Sequence, residues 1–187
     1  MKLINGLKKN NVKKSQQGLT LIEASMVLAL SAVVIAGAVM YYNSAAESNK
    51  IQRAQGLLGS VQSAVQSVYS TRPSYAGLSS KELTMTAAIP RSFIDGQGTG
   101  ATIINPWGGQ VLVGPGSVVT NYTITFQALS LSACTAMASV DLGNSLIGLK
   151  VGSTALTLGS FTGFQVAEAC ETGGSASRSV DIEWTFK

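Results

Sequence analysis

The hydrophobic positions of this chain fall into three patterns, and each predicts a different element. Residues 1–18 are polar and basic, and from Leu19 to Tyr42 apolar side chains then run almost unbroken, with Glu23 the single charge. As a helix rising 1.5 Å per residue this run reaches about 36 Å, enough to cross a hydrocarbon core of about 30 Å. Beyond Tyr42 the apolar positions become periodic. Ile51, Ala54, Leu58, Val61, Val65 and Val68 recur at spacings of three and four, with Lys50, Gln52, Arg53, Gln55, Gln62, Ser63 and Gln66 between them. That is the stripe of a helix that buries one side. It lasts barely three heptads, so packing onto the domain's own sheet is expected rather than a coiled coil. Pro73 disfavours helix at Arg72 and ends the element. One helix from Leu19 to Ser70 would be about 78 Å long. Gly37, Gly56 and Gly59 each weaken it by about 1 kcal/mol relative to alanine.

The third pattern begins after an irregular connector, residues 73–108, which holds Gly77, Pro90, Pro106 and the run Gly96-Gln97-Gly98-Thr99-Gly100. Its only regular prospect is a short helix over 80–88. Strands are predicted over 110–113 and 121–129, the second with Tyr122, Ile124, Phe126 and Ala128 on one face. A helix over 130–141 carries Cys134, short strands are expected over 147–151 and 155–158, and a helix over 165–171 carries Cys170. The final segment, 179–186, alternates Val180, Ile182, Trp184 and Phe186 against Asp181 and Glu183, a strand with one buried face. One long helix followed by a mainly antiparallel sheet gives an α+β fold.

Charge changes the picture at one end only. The formal net charge is +4, but residues 1–18 hold Lys2, Lys8, Lys9, Lys13 and Lys14 with no acid, and the remainder carries 8 basic and 9 acidic residues. Without its first 18 residues the chain has no electrostatic footprint for DNA or RNA, and no direct nucleic-acid binding is predicted. The basic flank predicts that it stays cytoplasmic while the rest lies outside. In such an exported chain the two cysteines, Cys134 and Cys170, are expected to pair, the alternative being two buried thiols that never meet. A bridge would close a loop of about 35 residues, a stabilisation of about 3 to 4 kcal/mol in the chain-entropy model.

Histidine is absent, which removes every Ser-His and Cys-His arrangement. There is no G-x-S-x-G elbow, Walker sequence or H-E-x-x-H, and none of the four lysines outside the first 18 residues has a serine three positions before it. The glycine run has no strand before it and no Lys-Ser/Thr after it, so it reads as a loop. Glu168 and Glu171 lie three apart, a spacing that in most helices means two solvated carboxylates. No catalytic residue, cofactor or metal ligand is assigned.

The apolar run admits three readings. A secretory signal peptide would use Ala36-Gly37-Ala38 as its cleavage site, yet the run exceeds the usual apolar region of about 7 to 15 residues. A plain single-pass anchor explains the length and leaves Glu23 without a purpose, because a lone carboxylate in an apolar helix is costly without a partner. The third reading comes from the residues themselves. Gly18-Leu19-Thr20-Leu21-Ile22-Glu23, continued by Ala24-Ser25-Met26-Val27-Leu28-Ala29-Leu30, resembles the processing site of type IV pilins. A first residue other than phenylalanine, an 18-residue leader and a large globular region are similar to the type IVb branch, which includes bundle-forming, toxin-coregulated and conjugative thin-pilus pilins.

The resemblance implies the rest of the design. Residues 1–18 would be a prepilin leader, 19–42 a transmembrane and filament-core helix, and 43–187 a globular pilin domain of αβ-roll type. That domain would contain the amphipathic half of the helix, the connector, the sheet and a disulfide-bounded region, 134–170. A prepilin peptidase would cut between Gly18 and Leu19 and methylate the new amino group of Leu19. Glu23 would pair with such an ammonium, its own or a neighbour's, and set the register of an incoming subunit. Asn105-Pro106-Trp107-Gly108-Gly109 resembles a turn that precedes the first sheet strand in type IVb pilins and type II secretion pseudopilins. The implied partners are other copies of the chain, the peptidase, an assembly platform with its ATPase, and the inner membrane before assembly. The implied function is a major pilus subunit for adhesion, aggregation or conjugation, with a minor pilin or pseudopilin next and a membrane-anchored enzyme or binding module more distant.

Overall fold

The computed structural model describes residues 20–85, 88–174 and 179–187. The chain divides into two compact units, Met1–Asn43 and Ser44–Lys187. The helix α1, Leu21–Tyr69, contributes residues to both.

Within the first unit α1 shows its apolar side chains to the surroundings. Leu21, Leu28, Val33 and Met40 are all more than two-thirds exposed, and the most apolar 18-residue window has a mean hydropathy of 2.2 with none of it buried. Length and composition suit a bilayer, and the polar groups agree. Ser25 donates its hydroxyl to the Ile22 carbonyl at 2.8 Å and Ser31 to that of Val27 at 2.7 Å. Such a helix leaves few polar groups seeking water.

In the second unit α1 buries Ala54, Leu57, Leu58, Val61, Ala64, Val65 and Tyr69. The stripe is wider than its expected spacing: Leu57, Ala64 and Tyr69 join it, while Ile51 and Val68 are only half-buried at its margins. Two adjacent rows at three- and four-residue spacing cover a broad sheet better than a single seam does. Each fully buried leucine or valine here stabilises the fold by about 1.5 to 3 kcal/mol.

The short helix α2 (Ser80–Thr84) is capped by Ser79. It stops at Thr84, short of the expected residue 88. Two strands follow that the connector was not expected to hold, β1 (Ile94–Asp95) and β2 (Thr102–Ile104). Then come β3 (Gln110–Pro115), β4 (Tyr122–Leu129), α3 (Leu131–Ala138), β5 (Leu146–Val151), β6 (Thr154–Leu156), α4 (Gly163–Thr172) and β7 (Val180–Phe186). They form one antiparallel sheet in the order β1-β2-β3-β4-β7-β5-β6. The last strand is thus inserted between β4 and β5, with Tyr122 opposite Phe186, Ile124 opposite Trp184 and Phe126 opposite Ile182. These side chains and the α1 stripe form the core. A row of rings, Tyr69, Tyr75, Tyr122 and Phe186, continues it with centroids 4.7 to 5.5 Å apart.

Two expectations are corrected. Ala128 does not share the face of Tyr122, Ile124 and Phe126: a bulge between Phe126 and Leu129 puts Ala128 at φ 57°, exposed, and turns Leu129 into the core instead. One inserted residue reverses the alternation, as a period of two requires. The turn at residues 105–109 lies between β2 and β3, so it precedes the third strand and not the first.

Candidate functional site

Gly18 and Leu19, expected to flank the cleavage site, lie outside the described residues. The residues that follow them are described. Thr20 opens α1, and its backbone N–H and hydroxyl both donate to Glu23 Oε2, at 2.8 and 2.9 Å. The Glu23 backbone N–H donates to Thr20 Oγ1 at 3.3 Å. This is a capping box, in which two donors at a helix start are satisfied reciprocally. The sequence Thr20-Leu-Ile-Glu23 therefore does local work as well as the work the resemblance implies. It holds the carboxylate at the helix N-terminus, where the peptide dipoles favour a negative charge.

The expected Cys134–Cys170 bridge is formed, with a Cα–Cα distance of 6.0 Å. It ties α3 to α4, and both cysteines are buried. Ser130 caps α3 by accepting the Ala133 N–H, and Thr162 caps α4 in a second capping box with Gln165. Glu168 and Glu171 lie exposed on α4. Among the described residues, Glu168 is the only acid on the wall of an open groove of about 380 Å³ between β6 and α4.

Sequence reasoning missed a second carboxylate. Glu47, half-buried at the start of the second unit, accepts hydrogen bonds from three side chains distant in sequence. The Trp107 indole Nε1–H reaches Oε1 at 3.1 Å and Oε2 at 3.3 Å. The hydroxyls of Ser130 and Ser132 reach Oε1 at 2.5 and 3.0 Å. Burial pushes this carboxyl up, but the hydrogen bonds from Ser130, Trp107 and Ser132, with Lys50 nearby, outweigh it and hold it below its ordinary value. Ser130 and Ser132 belong to the first turn of α3, so Glu47 also lies at a helix N-terminus.

The turn that presents Trp107 is rigidly built. Asn105 is buried and uses both ends of its side chain: its Nδ2 donates to the Gln127 carbonyl at 2.6 Å, and its Oδ1 accepts the N–H groups of Trp107 and Gly109 at 2.9 and 3.1 Å. Gly109 is required for space, since a Cβ there would lie 1.8 Å from the Gln127 oxygen. The sequence signal was present in Asn105-Pro106-Trp107-Gly108-Gly109, which reads as a turn. Nothing local in it names Glu47, 60 residues away, as the partner of its indole.

Known proteins share this architecture. A type IVb pilin from Salmonella typhi superposes with a TM-score of 0.55 at 20% sequence identity, covering 73% of this chain and 97% of that one, which makes the fold that of a pilin. The Bundlin family profile matches residues 43–187, and a prokaryotic N-terminal methylation motif matches residues 13–39. The chain belongs to the Bundlin family. It is similar to the proteins named major structural subunit of bundle-forming pilus in Escherichia coli O127:H6 (strain E2348/69 / EPEC) and Escherichia coli O111:H-. Each is 43% identical over 141 residues, which cover 74% of this chain and 72% of the relative.

Proposed function

We propose that this chain is the major structural subunit of a type IVb pilus, made as a membrane-inserted precursor and polymerised into an extracellular filament. One observation carries the reading. A bundlin-type globular unit and an N-terminal methylation motif occur in one chain, and the only charge in the apolar run from Leu19 to Tyr42 is that motif's glutamate, Glu23.

In this reading a prepilin peptidase removes the leader, residues 1–18, after Gly18 and methylates Leu19. Residues 19–42 occupy the inner membrane first and the filament core afterwards, while residues 43–187 form the globular pilin domain. An assembly platform driven by an ATPase lifts each subunit out of the bilayer. The gain that holds the filament is burial of the exposed apolar surface, about 25 cal/mol for each Å² removed from water.

Glu23 supplies register. A carboxylate inside an apolar bundle is tolerated only when paired and hydrogen-bonded. Thr20 satisfies Oε2, whereas Oε1 has no hydrogen bond among the described residues. That second oxygen is free to meet the ammonium of a neighbouring subunit's Leu19. The chain acts here as a polymer building block, with no reaction of its own.

Expression with the assembly machinery, followed by electron microscopy, tests the reading. A major subunit gives long surface fibres that contain it throughout; a minor pilin or a type II secretion pseudopilin does not. Mass spectrometry of the mature chain should find it beginning at methylated Leu19. A chain beginning at Val39, after Ala36-Gly37-Ala38, would overturn the proposal.

A further inference from the structure

We propose that Glu47 is the keeper of a latch that the Cys134–Cys170 bridge closes.

The latch joins three parts of the globular unit. Glu47 lies in its opening helical residues, Trp107 in the turn between β2 and β3, and Ser130 and Ser132 in the first turn of α3. The backbone of Trp107 is fixed by the Asn105 network and by the close approach at Gly109, independently of Glu47. The serines are placed differently. Ser130 follows the β4 bulge, where the Ala128 N–H donates to Asp181 Oδ1 at 2.9 Å. One turn later Cys134, whose N–H donates to the Ser130 carbonyl at 2.8 Å, is bonded to Cys170 on α4.

α3 is only eight residues long, too short to be stable by itself. Its position therefore depends on what holds it, and the bridge is the covalent restraint. With the bridge closed, two hydroxyls of α3 converge on Oε1. With the bridge open, α3 loses that restraint and Glu47 keeps only the indole. Forming the bridge from two thiols releases two protons and two electrons, which a disulfide compound in the oxidising compartment accepts by exchange. A purely structural tie would be served as well by an apolar pair. A carboxylate with charge-assisted bonds responds instead to whether its donors are in place.

Coupling of this kind is reciprocal: if the bridge favours the latch, the latch favours the bridge by the same factor. The full chain in detergent, with the bridge equilibrated in glutathione buffers and free thiols counted by alkylation, gives the first test. Glu47→Gln should lower the equilibrium constant for forming the bridge by about tenfold, the scale of a lost hydrogen bond to a charged group. An unchanged constant overturns the latch.

Fluorine NMR of the chain labelled with 5-fluorotryptophan gives the second, since Trp107 and Trp184 are its two tryptophans. Glu47→Gln should move the Trp107 signal and leave Trp184 in place. Reduction of the bridge should move Trp107 in the parent chain and not further in Glu47→Gln. Equal, additive movements on both backgrounds overturn the coupling.

Discussion

Glu23 and Glu47 are both glutamates of α1 and both lie at a helix N-terminus, but they stand in opposite circumstances. Glu23 is satisfied only by Thr20, three residues away, on a helix whose apolar side chains have nothing described against them. Glu47 is satisfied by residues 60 to 85 positions away, in a unit with a closed core. The described part of the first unit is unfinished: Thr20, Ser25 and Ser31 bond locally, and the apolar surface has nothing described against it. The second is complete. Substitutions in the first should therefore leave the fold intact and damage what the chain does with partners. Substitutions in the second should be read in stability.

The largest effect tests the first half of that contrast. Glu23→Ala should leave the proposed cleavage after Gly18 intact and the globular unit as stable as before, while filament yield falls by about a hundredfold or more. That is the scale of leaving a buried charge unpaired. Quantitative immunoblots of sheared pili against total subunit measure it. Normal yield would make the two glutamates alike, each merely capping a helix.

The second half is tested by the bridge. Replacing Cys134 and Cys170 by serine should lower the unfolding free energy of the globular unit by about 3 to 4 kcal/mol, seen as a lower urea midpoint. Filament yield would then fall only as far as folding does. A bridge-free chain with an unchanged midpoint would mean that α3 and α4 are held by packing alone.

The two units were not equally legible in the sequence. The described part of the first reads directly: an apolar run with a single acid suffices, because a helix depends on neighbours within a few residues. The long helix, the C-terminal strand and the bridge were legible for similar reasons of periodicity and parity. What escaped is non-local. β1 and β2 are two and three residues long and exist only because β3 offers β2 a ladder, which β2 passes on to β1. The wider stripe of α1 needed the sheet to define its breadth. Glu47 looked like any polar residue after an apolar run, because its three donors come from segments that only the fold brings together.

Acid sharpens the comparison on the side of Glu47. Its carboxyl is held below the ordinary 4.5, so the unfolded chain binds a proton there before the folded one does. The latch's contribution is therefore fully present above about pH 5 and is lost as pH falls through the folded value. Glu47→Gln removes this dependence. Its urea midpoint should drop less than the parent's between about pH 6 and pH 3, although it starts lower. Parallel curves would mean that Glu47 gains nothing from its charge, and the unit would then be complete without it.

The smallest effect concerns the bulge that places Ser130 beside Glu47. Ala128 sits at φ 57°, a left-handed conformation that its Cβ disfavours and a glycine adopts freely. The residue is exposed and its N–H is held by Asp181, so neither packing nor that hydrogen bond needs the methyl group. Ala128→Gly relieves strain of about 1 kcal/mol in the folded state but adds freedom to the unfolded chain, so the net gain should be a few tenths of a kcal/mol. The midpoint should rise slightly, with the urea slope unchanged. A fall of about 1 kcal/mol would show that the unfolded-chain entropy outweighs the relief. Either sign leaves filament assembly alone, because a change confined to the closed unit reaches the filament only through that unit's stability.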